Sequence, residues 1–159
     1  MLGDTARKLC GTVQADLPDM GKVDVEIGSD FVRESRKYIF NPKTKRARPL
    51  SEQREIASRQ LEAMSHIDDL LKGGKTNGWV HHEGHHPEND YLTLFKRFPY
   101  KGKSRIFTLD IKRPAGGSDQ GVQAHNMSAE GNPGFETKVR KLGIKDAAPR
   151  VAILRVQML

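Results

Sequence analysis

Two segments of alternating side chains, joined by Lys101 and Gly102, restrict the folds that this chain can adopt. Polar and apolar residues alternate in residues 91–94 and again in residues 106–112, a pattern typical of β-strands with one buried face. A two-residue turn at Lys101-Gly102 predicts an antiparallel hairpin. In that hairpin Asp110 lies opposite Thr93, and Lys112 lies opposite Tyr91.

The predicted register separates two faces of the hairpin. A slip by one residue would bury Asp110 without a partner. That would cost several kcal/mol, more than the roughly 0.2–1 kcal/mol that a cross-strand pair contributes. The polar face is therefore the predicted working surface. The apolar face carries Leu92, Leu94, Phe107, Leu109 and Ile111, and the polar face carries Tyr91, Thr93, Phe95, Arg97, Ile106, Thr108, Asp110 and Lys112.

The rest of the chain supplies helices and further strands. Alternation predicts a strand over residues 23–27 and another over residues 151–156, and short helices are expected over residues 31–38 and 135–142. A longer helix is predicted from Pro49-Ser51 to Gly73, with one apolar stripe. We therefore expect an α+β fold in which N-terminal helices pack on a small, twisted, mostly antiparallel sheet. The stripe consists of Ala57, Leu61, Met64, Ile67 and Leu71.

The chain has the length of one domain. Its 159 residues predict a single domain over residues 1–159, and no apolar run is long enough for a membrane span. Residues 1–20 are expected to form a flexible N-terminal segment. Residues 113–134 are rich in Gly, Pro and small polar residues, which predicts a long loop with one brief strand near residues 122–126.

The charge balance favours a polyanionic partner. Lys and Arg number 27 against 20 Asp and Glu, a net charge of +7, and nucleic acid is the leading partner class for such a chain. Lys45 and Arg46 belong to a strongly basic segment, residues 43–48, that can contact phosphates. The single Cys10 excludes an internal disulfide and matches no redox or metal motif.

A group of four histidines leads into the hairpin: His81, His82, His85 and His86. Histidine titrates near neutral pH, so it suits the proton transfers of a ribonuclease that needs no metal ion. One base would remove the ribose 2′-hydroxyl proton, and one acid would protonate the leaving 5′-oxygen. Cations would stabilise the charged phosphorane, and the available cations are Lys112, Arg97 and Arg105.

Two metal-dependent sites are alternatives. Asp90, Asp110 and Lys112 have the order of a PD-(D/E)xK nuclease, in which carboxylates hold Mg²⁺ and the lysine orients water. The predicted register, however, points Asp90 to the side of Leu92, away from Asp110. The four histidines can instead be considered as a zinc site, but Gly84 interrupts the helix that their spacing requires, and no cysteine accompanies them.

Three segments taken together resemble a family of nucleases. They are VDVEIGSDFVRESRKYIF, SEQREIASRQLEAMSHIDDLLKGG and HHPENDYLTLFKRFPYKGKSRIFTLDIK. They resemble the barnase/EndoU/colicin/RelE-like nuclease domains of phage polyvalent proteins and bacterial polymorphic toxins, over residues 23–126. The resemblance implies a small α+β toxin domain that cleaves RNA without a metal ion or other cofactor. It also implies an immunity protein or antitoxin as partner.

The resemblance further implies where such a domain acts, and it places site residues at His82 or His85, at Lys96 or Arg97, and at Asp110 and Lys112. The histidine group and the basic residues described above complete the predicted site. The domain would act in the cytoplasm of the producing or target cell, or be secreted or injected as the C-terminal part of a larger effector. A non-catalytic nucleic-acid or protein-binding module on the same scaffold is the alternative.

The predicted catalytic residues are His82, His85, His86, Asp110 and Lys112, where Asp110 orients a histidine or pairs with Lys112. The predicted substrate-binding residues are Lys96, Arg97, Arg105, Lys45 and Arg46.

Overall fold

A computed structural model describes residues 10–40, 49–116, 119–132, 134–144 and 150–151. These residues contain four helices and seven strands, so the predicted α+β class is confirmed. In chain order the elements are β1 (Gly11–Leu17), β2 (Gly21–Ile27), α1 (Ser29–Phe40), α2 (Leu50–Ser65), α3 (Ile67–Gly73), β3 (Val80–His81), β4 (Asn89–Tyr100), β5 (Lys103–Pro114), β6 (Gln123–Ala129), α4 (Phe135–Lys141) and β7 (Arg150–Val151).

The strands form one sheet in the order β1-β2-β6-β5-β4-β3, and β7 pairs with β5 beside the hairpin turn. Every pairing is antiparallel except that of β2 with β6, which is parallel. The mostly antiparallel sheet predicted from the sequence is thus confirmed. None of the helices in the described part of the chain has the length and apolar character needed to cross a membrane.

The hairpin of β4 and β5 has the register that the sequence predicts. Lys101 and Gly102 have φ values of 50° and 78°, as a type I′ turn requires at both of its central positions. Asp110 pairs with Thr93, and Lys112 pairs with Tyr91. All five residues of the predicted apolar face are buried.

The first three helices cover that apolar face. Met64, Ile67 and Leu71 of the predicted stripe are buried in the core, whereas Ala57 and Leu61 are half-buried. The single long helix predicted from the sequence is instead two helices, because the backbone leaves the helical conformation at His66 (φ −103°, ψ 17°).

Helix α4 covers only part of the opposite face. Phe135 and Val139 pack against Ile106, and Phe95 lies beside this small cluster. This cluster covers the polar face of the hairpin near its turn. The same face stays open at the far end, beyond Phe95, where Tyr91 and its neighbours are located.

One prediction about loops is wrong, and a second is wrong in part. Gly11–Leu17, within the segment expected to be flexible, is a strand in register with β2, because Val13, Ala15 and Leu17 alternate toward the core. Gln123–Ala129, within the expected long loop, is a strand between β2 and β5, and it is longer than the brief strand predicted near residues 122–126. Both sides of β6 are covered, so small and polar residues lie buried there without a simple alternation. Residues 1–9, the basic segment 43–48 and the predicted strand beyond residue 151 lie outside the described residues.

A buried amide fixes the position of β6. The Gln60 side chain donates hydrogen bonds to the Met127 carbonyl oxygen at 2.9 Å and to the Ser35 carbonyl oxygen at 3.1 Å. Its own oxygen accepts a bond from Asn132 Nδ2 at 2.5 Å. Because buried polar groups need partners, this network ties α1, α2 and the residues after β6 into one arrangement.

Candidate active site

An open cleft of about 1100 Å³ occupies the end of the sheet that α4 leaves uncovered. One wall is the approach to the hairpin, which carries the predicted histidines, and the other wall is α4. The floor comes from three neighbouring strands, β4, β5 and β6. Its polar and aromatic side chains are Tyr91, Thr93, Asp110, Lys112, His125 and Asn126.

The histidine wall contains three of the predicted catalytic residues. His82, His85 and His86 all line the cleft and are exposed. Short-range contacts hold the segment: His86 Nδ1 lies 3.2 Å from Glu88 Oε1, and the rings of His85 and His86 meet edge to face at 4.3 Å. The His82 ring faces the floor, 6.3 Å from the ring centre of Tyr91.

Helix α4 contributes two lysines, Lys138 and Lys141, to the opposite wall. Its C-terminal end is held by Asn77, whose Nδ2 donates a hydrogen bond to the Leu142 carbonyl oxygen at 2.8 Å. Lys138 donates a hydrogen bond to Asp110 Oδ2 at 2.5 Å. The wall is therefore attached both to the segment before β3 and to the floor.

Asp110 has different partners from those predicted. We expected it to orient a histidine or to pair with Lys112. Its carboxylate instead accepts hydrogen bonds from Thr93 Oγ1 at 2.7 Å and from Lys138. Lys112 lies one pair further along the same face, because residues two apart on a strand point to the same side. Among the described residues, the hydrogen-bond partners of the Asp110 carboxylate are Thr93 and Lys138, and Lys112 is not one of them.

His125 reaches the cleft through a β-bulge. Asn126 pairs with Asp110, but the next residue of β5, Ile111, pairs with Ala124, so His125 is an extra residue in β6. A bulge of this kind can turn an additional side chain toward a site. His125 and Asn126 accordingly both line the cleft although they are consecutive. Alternation alone cannot reveal such a residue, and its only sequence signal is a histidine within a glycine-rich segment.

The surroundings of His125 favour the neutral imidazole. Its side chain is half-buried, with the Tyr91 ring centre at 5.7 Å. Burial lowers the pKa of His125 below the ordinary value, and the nearby positive charge of Lys112 lowers it further. Asp110 and Glu34 act in the opposite direction but do not outweigh these two effects. A neutral imidazole can accept a proton, which is the property required of a general base.

Two predicted phosphate-binding residues lie on the wrong side of the sheet. Lys96 and Arg105 are paired with Phe107 and Phe98, which belong to the face covered by the helices. Arg105 is bound there to Glu130, with 3.1 Å between its Nη1 and the carboxylate. These two assignments are therefore corrected, because strand parity directs both cations away from the cleft.

The remaining predicted cations do not line the cleft within the described residues. Arg97 is on the cleft side of β4, but it lies near the hairpin turn, where its Nη1 donates a hydrogen bond to the Ser104 carbonyl oxygen at 3.0 Å. Lys45 and Arg46 lie outside the described residues. The lysines that do line the cleft are Lys112, as predicted, and Lys138 and Lys141, which the sequence analysis did not assign.

The carboxylates of the alternative metal site do not converge. Asp90 binds His81 Nδ1 at 2.8 Å and Arg113 Nε at 3.2 Å. Burial acts to raise the pKa of Asp90, but these two hydrogen bonds outweigh it and the pKa is lowered. Strand β4 is regular from Asn89 onward, so Asp90 points away from Asp110. Within the described ranges, no three His, Cys, Asp or Glu side chains are grouped as metal ligands.

Comparisons with protein-family models, with curated proteins and with solved structures find no match to this chain. The resemblance to the nuclease-toxin family therefore remains one of sequence segments. The side chains of the cleft are the basis for assigning a function.

Proposed function

We propose that the protein is an endoribonuclease that cleaves RNA by attack of the ribose 2′-hydroxyl, with histidines and lysines as its catalytic groups. One observation carries the proposal: imidazole and ammonium groups from four separate parts of the fold line a single cleft. His82 comes from the approach to the hairpin, Lys112 from β5, His125 from β6 and Lys138 from α4. Proton transfer and stabilisation of a dianionic phosphorane need these two kinds of group.

In the proposed reaction His125 is the general base. Its neutral imidazole accepts the proton of the ribose 2′-hydroxyl while the 2′-oxygen forms a bond to phosphorus. The additional negative charge of the phosphorane lies near Lys112, which is not among the hydrogen-bond partners of Asp110 in the described part of the chain. Lys141, at the rim of α4, contributes further positive charge.

The histidine wall supplies the general acid. A protonated imidazole among His82, His85 and His86 gives its proton to the 5′-oxygen as the bond between that oxygen and phosphorus breaks. The products are a 2′,3′-cyclic phosphate and a free 5′-hydroxyl, and no oxidant or second substrate is required. DNA has no 2′-hydroxyl and is therefore not cleaved.

The test is cleavage of purified RNA and DNA by the full chain, with EDTA and, separately, with Mg²⁺. We expect RNA cleavage that persists in EDTA, cyclic phosphate ends and no cleavage of DNA. His125→Gln should lower the rate by about 10²–10⁴-fold, the usual contribution of a general base. Single His82→Ala, His85→Ala and His86→Ala variants should identify the acid by a loss of similar size.

His81→Ala is the matched control, because His81 is adjacent to His82 but binds Asp90, outside the cleft. It should keep the wild-type rate. Cleavage of DNA that requires Mg²⁺, or RNA cleavage unaffected by His125→Gln, would contradict the proposal. RNA binding by wild-type protein without cleavage would instead favour the non-catalytic binding module.

We further infer a biological setting, on the strength of the family resemblance. An RNA-cleaving toxin acts in the cytoplasm of the producing or target cell, and a cell that makes it needs an immunity protein or antitoxin. A protein that inserts acidic side chains between Lys112 and Lys141 would block the cleft. Co-expression that restores growth, with loss of RNA cleavage in the purified pair, is the result expected for such a partner.

A further inference from the structure

Three aromatic rings lie next to one another in the cleft, and Tyr91 is between the other two. Its ring centre is 6.3 Å from that of His82 and 5.7 Å from that of His125, at interplanar angles of 42° and 57°. These distances are within the range of about 4.5–7 Å at which aromatic rings interact. The rings of Tyr91 and His125 on the floor and of His82 on the wall therefore form an aromatic group in the cleft that Lys138 and Lys141 also line.

Tyr91 is a fixed platform rather than a mobile side chain on a loop. Its strand is paired on both sides, since Val80 of β3 and Lys112 of β5 are its partners. Val80 is 47% exposed, one of the two large hydrophobic residues with high exposure among the described residues, and it lines the cleft beside the ring. A rigid aromatic ring with an apolar neighbour is suited to stacking by a flat heterocycle.

We propose that the cleft takes single-stranded RNA and that one nucleobase stacks on Tyr91, an inference that rests on the proposed function. An aromatic side chain accepts any base that is free of its own stack. A base on Tyr91 has its ribose near His125 and its phosphate near Lys112, the residue paired with Tyr91. In a duplex the bases are stacked and paired, so the ribose cannot descend to a half-buried His125 at the floor.

The experiment compares a labelled unstructured RNA with the same RNA in a perfect duplex, using the full chain. Cleavage gives kcat and KM, and fluorescence anisotropy with His125→Gln gives binding without turnover. We expect preference for the single strand in both measurements. Tyr91→Leu should weaken binding and raise KM by about 5- to 100-fold, the effect of losing one stacked base. Tyr91→Phe and Tyr91→Trp should retain wild-type values.

Tyr100→Leu is the matched control, since Tyr100 is a half-buried tyrosine on the same strand that bonds Ser58 at 2.5 Å, outside the cleft. It should leave KM unchanged, and thermal unfolding of each variant checks the fold. RNA cleavage with equal use of duplex, or with no effect of Tyr91→Leu, would overturn this inference and leave the proposed function intact. Tyr91-dependent binding of single strands without cleavage would support it while the proposed function fails. Absence of both binding and cleavage would overturn both.

Discussion

Two features of its surroundings lower the pKa of His125. Burial against Tyr91 disfavours the charged imidazolium, and Lys112 repels the same charge. The lysine therefore has two functions in the proposed reaction, because it binds the phosphate and also keeps the base unprotonated. These two functions can be separated by measuring the titration of His125 as well as the rate.

Replacing Lys112 by methionine should raise the pKa of His125. The folded pKa lies below the ordinary value of about 6.5, so the base form is present at neutral pH and is lost as the pH falls through the lowered pKa. Without Lys112, burial and Lys138 still oppose protonation, but Asp110 and Glu34 favour it, so the loss should begin at a higher pH. NMR titration of the His125 ring protons and the acid limb of kcat/KM should both move upward.

The control for this titration is Lys96→Met, which removes a lysine from the covered face of the same hairpin. It should leave the pKa of His125 unchanged. If Lys112→Met leaves the titration unchanged as well, the electrostatic link between Lys112 and His125 is absent.

At the scale of secondary-structure elements, the bulge in β6 determines which residues reach the cleft. Ala124 and Asn126 pair with consecutive residues of β5, so removal of His125 leaves two strands that pair without interruption. The sheet does not require the extra residue, whereas the proposed chemistry does.

Deletion of His125 should therefore give a folded protein with no RNA cleavage. We expect a wild-type far-UV circular dichroism spectrum, because each remaining residue of β6 stays on the side of the sheet that it occupies in the wild-type protein. Deletion of Ala124 instead moves His125 to the buried position opposite Ile111, where an imidazole has no partner, and it should lower the thermal stability markedly. Equal stability of the two deletion variants would contradict the assigned bulge.

The hairpin was predictable from sequence, whereas β6 was predicted only as a brief strand near residues 122–126. In the hairpin a turn with φ above zero at both positions and a strict alternation give the same register, so local and long-range preferences agree. In β6 the residues Asn126, Met127 and Ser128 are all buried, because neighbouring strands and helices cover both sides of the strand. No local pattern records that environment. His125 was missed because alternation does not show a bulge, and α4 was predicted without its role as a cleft wall.

At the scale of the whole molecule, three lysines lie where the sheet is open, together with the carboxylates of Glu34, Glu88 and Asp110. Net charge by itself favours any polyanion, but the cleft brings Lys112, Lys138 and Lys141 close to the proposed reacting groups. The salt dependence of RNA affinity should consequently come from the phosphate contacts of a small number of specific lysines.

Lys141→Gln should lower the slope of log affinity against log salt by about 0.7, the value for one phosphate contact with a single strand. Lys72→Gln is the control, since Lys72 is an exposed lysine at the end of α3 and does not line the cleft. Its slope should equal that of the wild type. Identical slopes for both variants would show that RNA is held by general attraction to the surface.

Helix α4 joins the small hydrophobic cluster at the hairpin turn to the entrance of the cleft. Phe135 and Val139 anchor it to Ile106, while Lys138 reaches across to Asp110. In the proposed reaction, an incoming phosphate would compete with Asp110 for that lysine. Substrate binding would then depend on how the seven residues of α4 pack on the sheet, and a small molecule bound beneath Phe135 would alter the proposed turnover without contacting a reacting group.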